Sequence, residues 1–227
     1  PRSTLFAYTT LFRTLMIEGG TKGMQLSLEH PSPRLQKVMR KGLDVDKFRD
    51  NVEYIASKYP QVVLGLNTMH GFPTETEEEA YETLNFIKEI KWVHFPYMAS
   101  VRVFPGTEIE HFALESGVPK EVIEATQDMS YEEAAPTIPF TKDFTKAIKT
   151  SFLTDYVLNK ERLLQVLPYQ MEQFTENELD QKYNGYFGSP HILNFNDLLK
   201  AAKSDRSELR VKKCLSEEDI KIPDIST

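Results

Sequence analysis

The strongest constraint in this sequence is an apolar pattern that switches repeatedly between strand and helix periods from residue 3 to about residue 117. Such alternation predicts β/α units with a parallel sheet. We expect strands at 3–10, 23–30, 61–69 and 92–104, the last broken near Pro96, each followed by a helix. Four such units make half of a (β/α)8 barrel, which usually needs about 250 residues. The predicted fold class is α/β, either a partial TIM-type (β/α) barrel with parallel strands or a small open sheet.

Capping residues predict where the helices begin. Asp44 precedes a helix whose apolar stripe contains Phe48, Val52 and Ile55. Thr76 and Glu79 have the spacing of a capping box at the start of the clearest helix in the chain.

Beyond residue 118 the pattern becomes helical. Residues 140–167 predict one long amphipathic helix, Thr175 and Glu178 a second capping box, and Asn194 or Asn196 the cap of a third helix. The charged tail after Ala202 is typical of a terminal strand or a loosely ordered arm. The predicted domains are residues 1–117, the α/β part, and residues 118–227, a C-terminal helical extension.

Composition narrows the function classes. A formal net charge of -7 argues against a general nucleic-acid binder. No apolar run approaches the roughly 20 residues that span a bilayer, and the first ten residues lack the order of a signal peptide, so we expect a cytoplasmic protein without a membrane span. The single cysteine, Cys214, permits neither an internal disulfide nor a cysteine-rich metal site from this chain alone.

Polar residues follow the second predicted strand, where parallel sheets place their ligands. Glu29, His30 and Ser32 could bind a ribose or an amino-acid group, and His30 is also a candidate for the substrate pocket. The alternative is that Ser32 caps the next helix and Glu29 pairs locally, which is the commoner use of such residues.

Two further segments occupy the same position after later strands. Asn67 and His70 are polar residues in an apolar strand and are candidates for a substrate pocket, although a single His is more often structural. Gly71 and Pro73 shape the turn that follows, where free backbone N–H groups could meet a nucleoside.

The third segment, Phe104, Pro105 and Gly106, offers a flat apolar surface and backbone amides suited to a purine, or is an ordinary turn. His94 and His111 have no second ligand at metal spacing, and no nucleophilic triad can be assembled. Glu29 and His70 could still form an acid/base pair in a different barrel enzyme.

Taken in order, residues 25–48, 71–90 and 101–118 resemble the second half of a radical SAM barrel. The resemblance is carried by a strand that ends in Glu before a Ser-Pro helix and a Lys-Gly stop, then Gly-Phe-Pro-Thr-Glu-Thr, then Phe-Pro-Gly-Thr. It covers residues 3–117 and is greatest for the cobalamin-dependent branch, in which a helical extension follows the barrel.

The resemblance implies an enzyme that uses S-adenosylmethionine and a 4Fe-4S cluster held by a CxxxCxxC loop, possibly with cobalamin, to methylate or cyclise a small-molecule substrate. By matching position, Glu29 and Ser32 would lie near the ribose and amino-acid part of S-adenosylmethionine. Gly71 and Pro73 would lie against the adenosine, and Phe104, Pro105 and Gly106 would border the adenine.

This chain departs from the family pattern in two places. Glu29-His30-Pro31 replaces Glu-Ser-Gly, and no CxxxCxxC loop is present. We therefore expect a fragment of a longer enzyme, inactive alone, with cluster ligands and any cobalamin domain outside these residues. Its open barrel edges would pair in a dimer or be covered by the helices after residue 140. The alternative is a cluster-less interaction module.

Overall fold

The computed structural model describes residues 15–90, 93–126, 139–187, 194–216 and 218. Three strands are present there: β1 (Gly23–Glu29), β2 (Val63–His70) and β3 (Phe95–Ser100). The helices of the first half are α1 (Pro33–Val38), α2 (Val45–Lys58), α3 (Glu77–Glu89), α4 (Glu108–Glu115) and α5 (Lys120–Ala125). Those of the second half are α6 (Lys142–Ser151), a π-helical segment (Phe152–Val157), α7 (Lys160–Met171), α8 (Glu176–Phe187), α9 (Phe195–Ala201) and a 3-10 turn (Arg206–Glu208).

The strands form a parallel sheet in the order β1-β2-β3. Gln25 pairs with Gly65, and Asn67 pairs with both Ser27 and Tyr97. The β1 register shifts between Ser27 and Glu29. Since all three strands run the same way, their carboxyl ends and the loops after them lie along one edge of the sheet.

The predicted caps determine where the helices start. The Asp44 side chain accepts from the Lys47 N–H at the start of α2. Thr76 and Glu79 form the complete capping box of α3. These two helices bury Phe48, Val52, Ala80, Leu84 and Ile87 in the same core as Leu64 and Leu66 of β2.

The later helices pack against β3 and enlarge that core. The Phe95 ring contacts Phe174 and Tyr183, and Tyr97 stacks on Tyr186 with centroids 5.4 Å apart. Tyr156 Oη donates to the Ile90 carbonyl at 2.7 Å. One apolar cluster therefore runs through both predicted domains, and the boundary at residues 117/118 stays a prediction.

Two sequence expectations about elements are wrong. Pro96 does not break its strand: it is the second residue of β3 and pairs with Leu66. Residues 140–167 do not form one helix, because a π-helical segment follows α6 and Asn159 caps a new helix, α7. The described part of the tail contains a 3-10 turn, and the expected terminal strand or loosely ordered arm stays a prediction because residues 219–227 lie outside the described residues.

The α/β class and the parallel sheet are confirmed, whereas closure toward a barrel stays a prediction. The first expected strand, at residues 3–10, lies outside the described residues. Within the described part of the chain the sheet has three strands. No helix of that part is long and apolar enough to cross a membrane.

Candidate functional site

All three segments singled out by sequence lie at the carboxyl edge of the sheet. Glu29 ends β1 and residues 30–32 follow it, residues 71–73 follow β2, and residues 104–106 come after β3. The register places Glu29 beside Thr68 and His70 beside Ser100. Parallel strands therefore bring together residues that are far apart in sequence.

Glu29 ends β1 in the left-handed region, with φ of 66°. Such a backbone is strained for a residue with a side chain and is usually held by its surroundings. Its Oε1 accepts from Lys41 Nζ at 2.9 Å, and both side chains remain partly exposed. The Glu29 carboxylate thus faces solvent while paired with one cation.

Ser32 has the capping role of the alternative interpretation. Its Oγ accepts from the Leu35 N–H and donates to Glu79 Oε1 at 2.6 Å. Arg34 binds both oxygens of Glu79 and the Thr74 carbonyl. Burial tends to raise the pKa of Glu79, but hydrogen bonds from Arg34 and Ser32 outweigh it and lower that pKa. The Ser32 hydroxyl is therefore held inside the protein.

A buried carboxylate, Glu75, binds both histidines of the site. Its Oε1 lies 3.2 Å from His70 Nδ1 and 3.4 Å from His30 Nε2, and its side chain is fully buried. Its Oε2 accepts from the N–H groups of Gly71 and Phe72 at 2.6 and 2.9 Å. Burial opposes ionisation, yet hydrogen bonds from the two imidazoles outweigh it and lower the pKa of Glu75 to about 2.

Both histidines therefore lie in the interior. His30 is fully buried, accepts from the Ser32 N–H through Nδ1, and contacts Thr83 Oγ1 through Nε2 at 3.0 Å. His70 is also buried and stacks on Phe140, and its Nε2 has no hydrogen-bond partner among the described residues. The pocket role predicted for these imidazoles stays a prediction, and their contacts are those of structural groups.

The Gly71–Pro73 turn differs from the expected arrangement of free amides. Gly71 has φ of 92°, which favours glycine. The N–H groups of Gly71 and Phe72 point inward to Glu75, and Pro73 is buried. An interior carboxylate therefore occupies the amides of these two residues, and the nucleoside contact expected at the turn stays a prediction.

The third segment is the most open of the three. The Phe104 side chain is 56% exposed, and Pro105 and Gly106 are also exposed. Thr107 caps α4 and donates to the Phe104 carbonyl at 2.6 Å, while the Gly106 N–H donates to Glu110 Oε2 at 2.7 Å. The exposed face of Phe104 is wide enough for a flat ring among the described residues.

Asn67 has partners that sequence analysis missed. Gln25 Nε2 donates to Asn67 Oδ1 at 2.7 Å, and Asn67 Nδ2 donates to Ser27 Oγ at 3.3 Å. Polar and apolar residues alternate at 24–28, which indicates that Gln25 and Ser27 share one face. That they meet Asn67 depends on the strand register.

Neither an acid/base pair nor a metal centre is assembled by these contacts. Glu29 pairs with Lys41, whereas His70 pairs with Glu75. Among the described residues, no group of three or more His, Cys, Asp or Glu could hold a metal ion.

The family model described as "Radical SAM superfamily" matches residues 12–87, a range that includes β1, β2 and the Glu75 turn. This match identifies residues 12–87 as part of a radical SAM domain. The resemblance read from the sequence motifs is thereby confirmed at the level of the superfamily.

Curated radical SAM relatives match part of the chain. A threonylcarbamoyladenosine tRNA methylthiotransferase MtaB of Aquifex aeolicus is 29% identical over 71% of this chain and 35% of its own length. A tRNA-2-methylthio-N(6)-dimethylallyladenosine synthase of Thermobifida fusca is 31% identical over 44% of this chain and 20% of its own. A ribosomal protein uS12 methylthiotransferase RimO of Chloroherpeton thalassium is 31% identical over 39% of this chain and 22% of its own. The chain therefore spans about a third or less of the length of these relatives.

Proposed function

We propose that this chain forms part of a radical SAM enzyme that cleaves S-adenosylmethionine reductively to a 5'-deoxyadenosyl radical. The observation that carries the proposal is the convergence of three loops at one sheet edge, within and just beyond the matched residues 12–87. Cofactors of parallel β/α folds bind at this edge.

S-adenosylmethionine fits the residues present at the edge. The partly exposed Glu29 carboxylate can accept from ribose hydroxyls or an ammonium group, and the exposed Phe104 ring offers a surface to adenine. Ser32, Gly71 and Pro73 would act indirectly, by fixing α1 and the β2 turn. Pro105 and Gly106, which are exposed, would border the adenine by contact, since the Gly106 N–H already donates to Glu110.

A 4Fe-4S cluster does not fit these residues, because the chain has one cysteine where such clusters need several thiolates. Cys214 itself is a poor cluster ligand, because burial raises the pKa of its thiol to about 11 and so disfavours the thiolate that binds iron. Cluster ligands would come from polypeptide outside these 227 residues.

For the substrate, the relatives favour transfer of a methylthio group, because their names specify tRNA nucleosides or a ribosomal protein. The expectation of a small-molecule substrate and no nucleic acid rested on the acidic composition of this chain. If the substrate is a tRNA, we propose that the phosphate contacts are made by polypeptide outside these 227 residues. Cobalamin-dependent methylation or cyclisation and a cytoplasmic location remain part of the hypothesis.

The experiment compares this chain with the full polypeptide that its gene encodes, purified and reconstituted without oxygen. We expect 5'-deoxyadenosine from the full polypeptide with dithionite, and at least a tenfold higher KM for S-adenosylmethionine in Glu29→Gln. Glu53→Gln, an exposed carboxylate on α2, is the matched control. A full polypeptide that binds no iron and releases no 5'-deoxyadenosine would favour the cluster-less interaction module.

A further inference from the structure

The side chain of Gln36, on α1, is hydrogen-bonded to the backbone on both sides of Glu29. Gln36 is only 3% exposed. Its Nε2 donates to the Leu28 carbonyl at 2.8 Å and to the His30 carbonyl at 2.6 Å. A primary amide has two N–H donors. Both donors of Gln36 are therefore used on the two residues that flank Glu29.

The backbone held in this way is the strained one at the end of β1. Glu29 has φ of 66°, and the register of β1 shifts between Ser27 and Glu29. A residue with a side chain keeps such a conformation only where its surroundings hold it. The hydrogen bonds from Gln36 fix the carbonyl groups before and after Glu29, and a return to extended backbone would move these groups.

Gln36 also holds the segment that carries the cation paired with Glu29. The main-chain carbonyl of Gln36 accepts from the Lys41 N–H at 3.0 Å, and its Oε1 accepts from the Leu43 N–H at 3.4 Å. Lys41 Nζ in turn lies 2.9 Å from Glu29 Oε1. One residue of α1 thus fixes the backbone of both members of the Glu29–Lys41 pair.

A second buried glutamine has the same chemistry at the opposite end of the sheet. Gln170, on α7, is fully buried. Its Nε2 donates to the His94 carbonyl at 3.1 Å, and its Oε1 accepts from Tyr183 Oη at 2.7 Å. His94 comes directly before β3, away from the carboxyl edge. Gln170 therefore serves as a matched control for the loss of a buried amide.

We propose that Gln36 is a positioning residue, which sets the conformation of Glu29 and so places the Glu29 carboxylate at the carboxyl edge of the sheet. The effect of Gln36 on S-adenosylmethionine rests on the proposed function, in which Glu29 contacts that molecule. The hold of Gln36 on the Glu29 backbone does not depend on it.

The first measurement is hydrogen exchange by mass spectrometry on the full polypeptide that the gene encodes, without S-adenosylmethionine. Gln36→Leu keeps a side chain of similar size but removes the two donors and the acceptor. We expect the amides of residues 29–32 to exchange at least tenfold faster in Gln36→Leu and at an unchanged rate in Gln170→Leu. Unchanged exchange at these residues in Gln36→Leu would overturn the proposal.

The second measurement is the KM and kcat for S-adenosylmethionine in the reconstituted full polypeptide. Gln36→Leu should raise KM at least fivefold and change kcat less than twofold, because a displaced carboxylate weakens binding. Gln170→Leu should change neither constant. In Glu29→Gln, adding Gln36→Leu should raise KM by less than a further twofold, because the two residues act through one contact.

A second variant covers the case in which Gln36→Leu does not fold. Gln36→Glu keeps the length of the side chain, and burial favours its protonated form, which retains one O–H donor. Its KM should lie between those of the unsubstituted polypeptide and Glu29→Gln, and a KM equal to that of the unsubstituted polypeptide would contradict the proposal.

Three further results would also overturn the proposal: an unchanged KM in Gln36→Leu, an equal rise of KM in Gln170→Leu, or effects of Gln36→Leu and Glu29→Gln that simply multiply. If the unsubstituted full polypeptide neither binds nor cleaves S-adenosylmethionine, the proposed function fails. Hydrogen exchange then decides by itself whether Gln36 holds the Glu29 backbone.

Discussion

At the scale of single residues, Glu75 connects the two strand ends by binding His30, His70 and two backbone amides. Its lowered pKa of about 2 means that ionised Glu75 stabilises the folded state by about 3 kcal/mol near neutral pH. That stability is present above the unfolded pKa, near 4.5, and is lost as the pH falls toward 2.

We therefore expect Glu75→Gln to lower the free energy of unfolding by roughly 2 to 3 kcal/mol at pH 7, and by about half of that at pH 3. Urea denaturation at both pH values measures the difference, with Glu53→Gln as the control. A difference independent of pH would contradict an ionised Glu75.

Arg162 is a second residue whose buried contacts join the later helices to the chain before β3. Its buried guanidinium donates to the carbonyls of Val93, His94 and Val157 and lies 4.7 Å from the Tyr156 ring centroid. Arg162→Leu should cost roughly 3 kcal/mol of unfolding free energy, because three buried carbonyls would each lose a charged donor. Arg210→Leu, at an exposed guanidinium, should change stability by less than about 1 kcal/mol. Equal effects of the two variants would show that Arg162 does not hold the helices to β3.

At the scale of elements, Asn159 decides where α7 begins. Its side chain accepts from the Arg162 N–H at 2.9 Å after the π-helical segment ends. In one continuous helix Asn159→Ala would raise stability, since Ala is the better helix former. With Asn159 as the cap, the same change should lower stability by about 1 kcal/mol. The sign of the change in melting temperature distinguishes the two structures, and Asn177→Ala within α8 serves as the control.

The comparison between sequence and structure is also clearest at this scale. The starts of α2, α3 and α8 follow from Asp44, Thr76 and Thr175, because a cap is a local interaction. The sequence does not reveal that the helix is interrupted before Asn159, because the apolar stripe continues across the interruption. Packing of the π-helical segment on α3 decides where the chain turns. Pro96 was misjudged because a proline near the start of a strand fits there without breaking it.

At the scale of the whole molecule, the sheet has open edges in the part of the chain described, and the later helices pack on β3. The prediction for the isolated chain is little or no bound iron after anaerobic reconstitution, because it offers one cysteine. Iron analysis and absorption near 400 nm measure this. About four irons per chain would contradict it, and light scattering in the same preparation tests dimerisation through the sheet edges.

The sequence by itself determined the order of β1, β2 and β3 and of the helices between them, the capped helix starts, the superfamily resemblance and the three loops at the sheet edge, because these depend on local periodicity, capping and motif order. Only the tertiary structure decided that His30 and His70 share Glu75, that the Gly71 amide points inward, and that Gln25 lies over Gly65 beside Asn67. Those contacts join residues up to 45 positions apart for His30 and Glu75. They depend on strand register and burial, which no local pattern specifies.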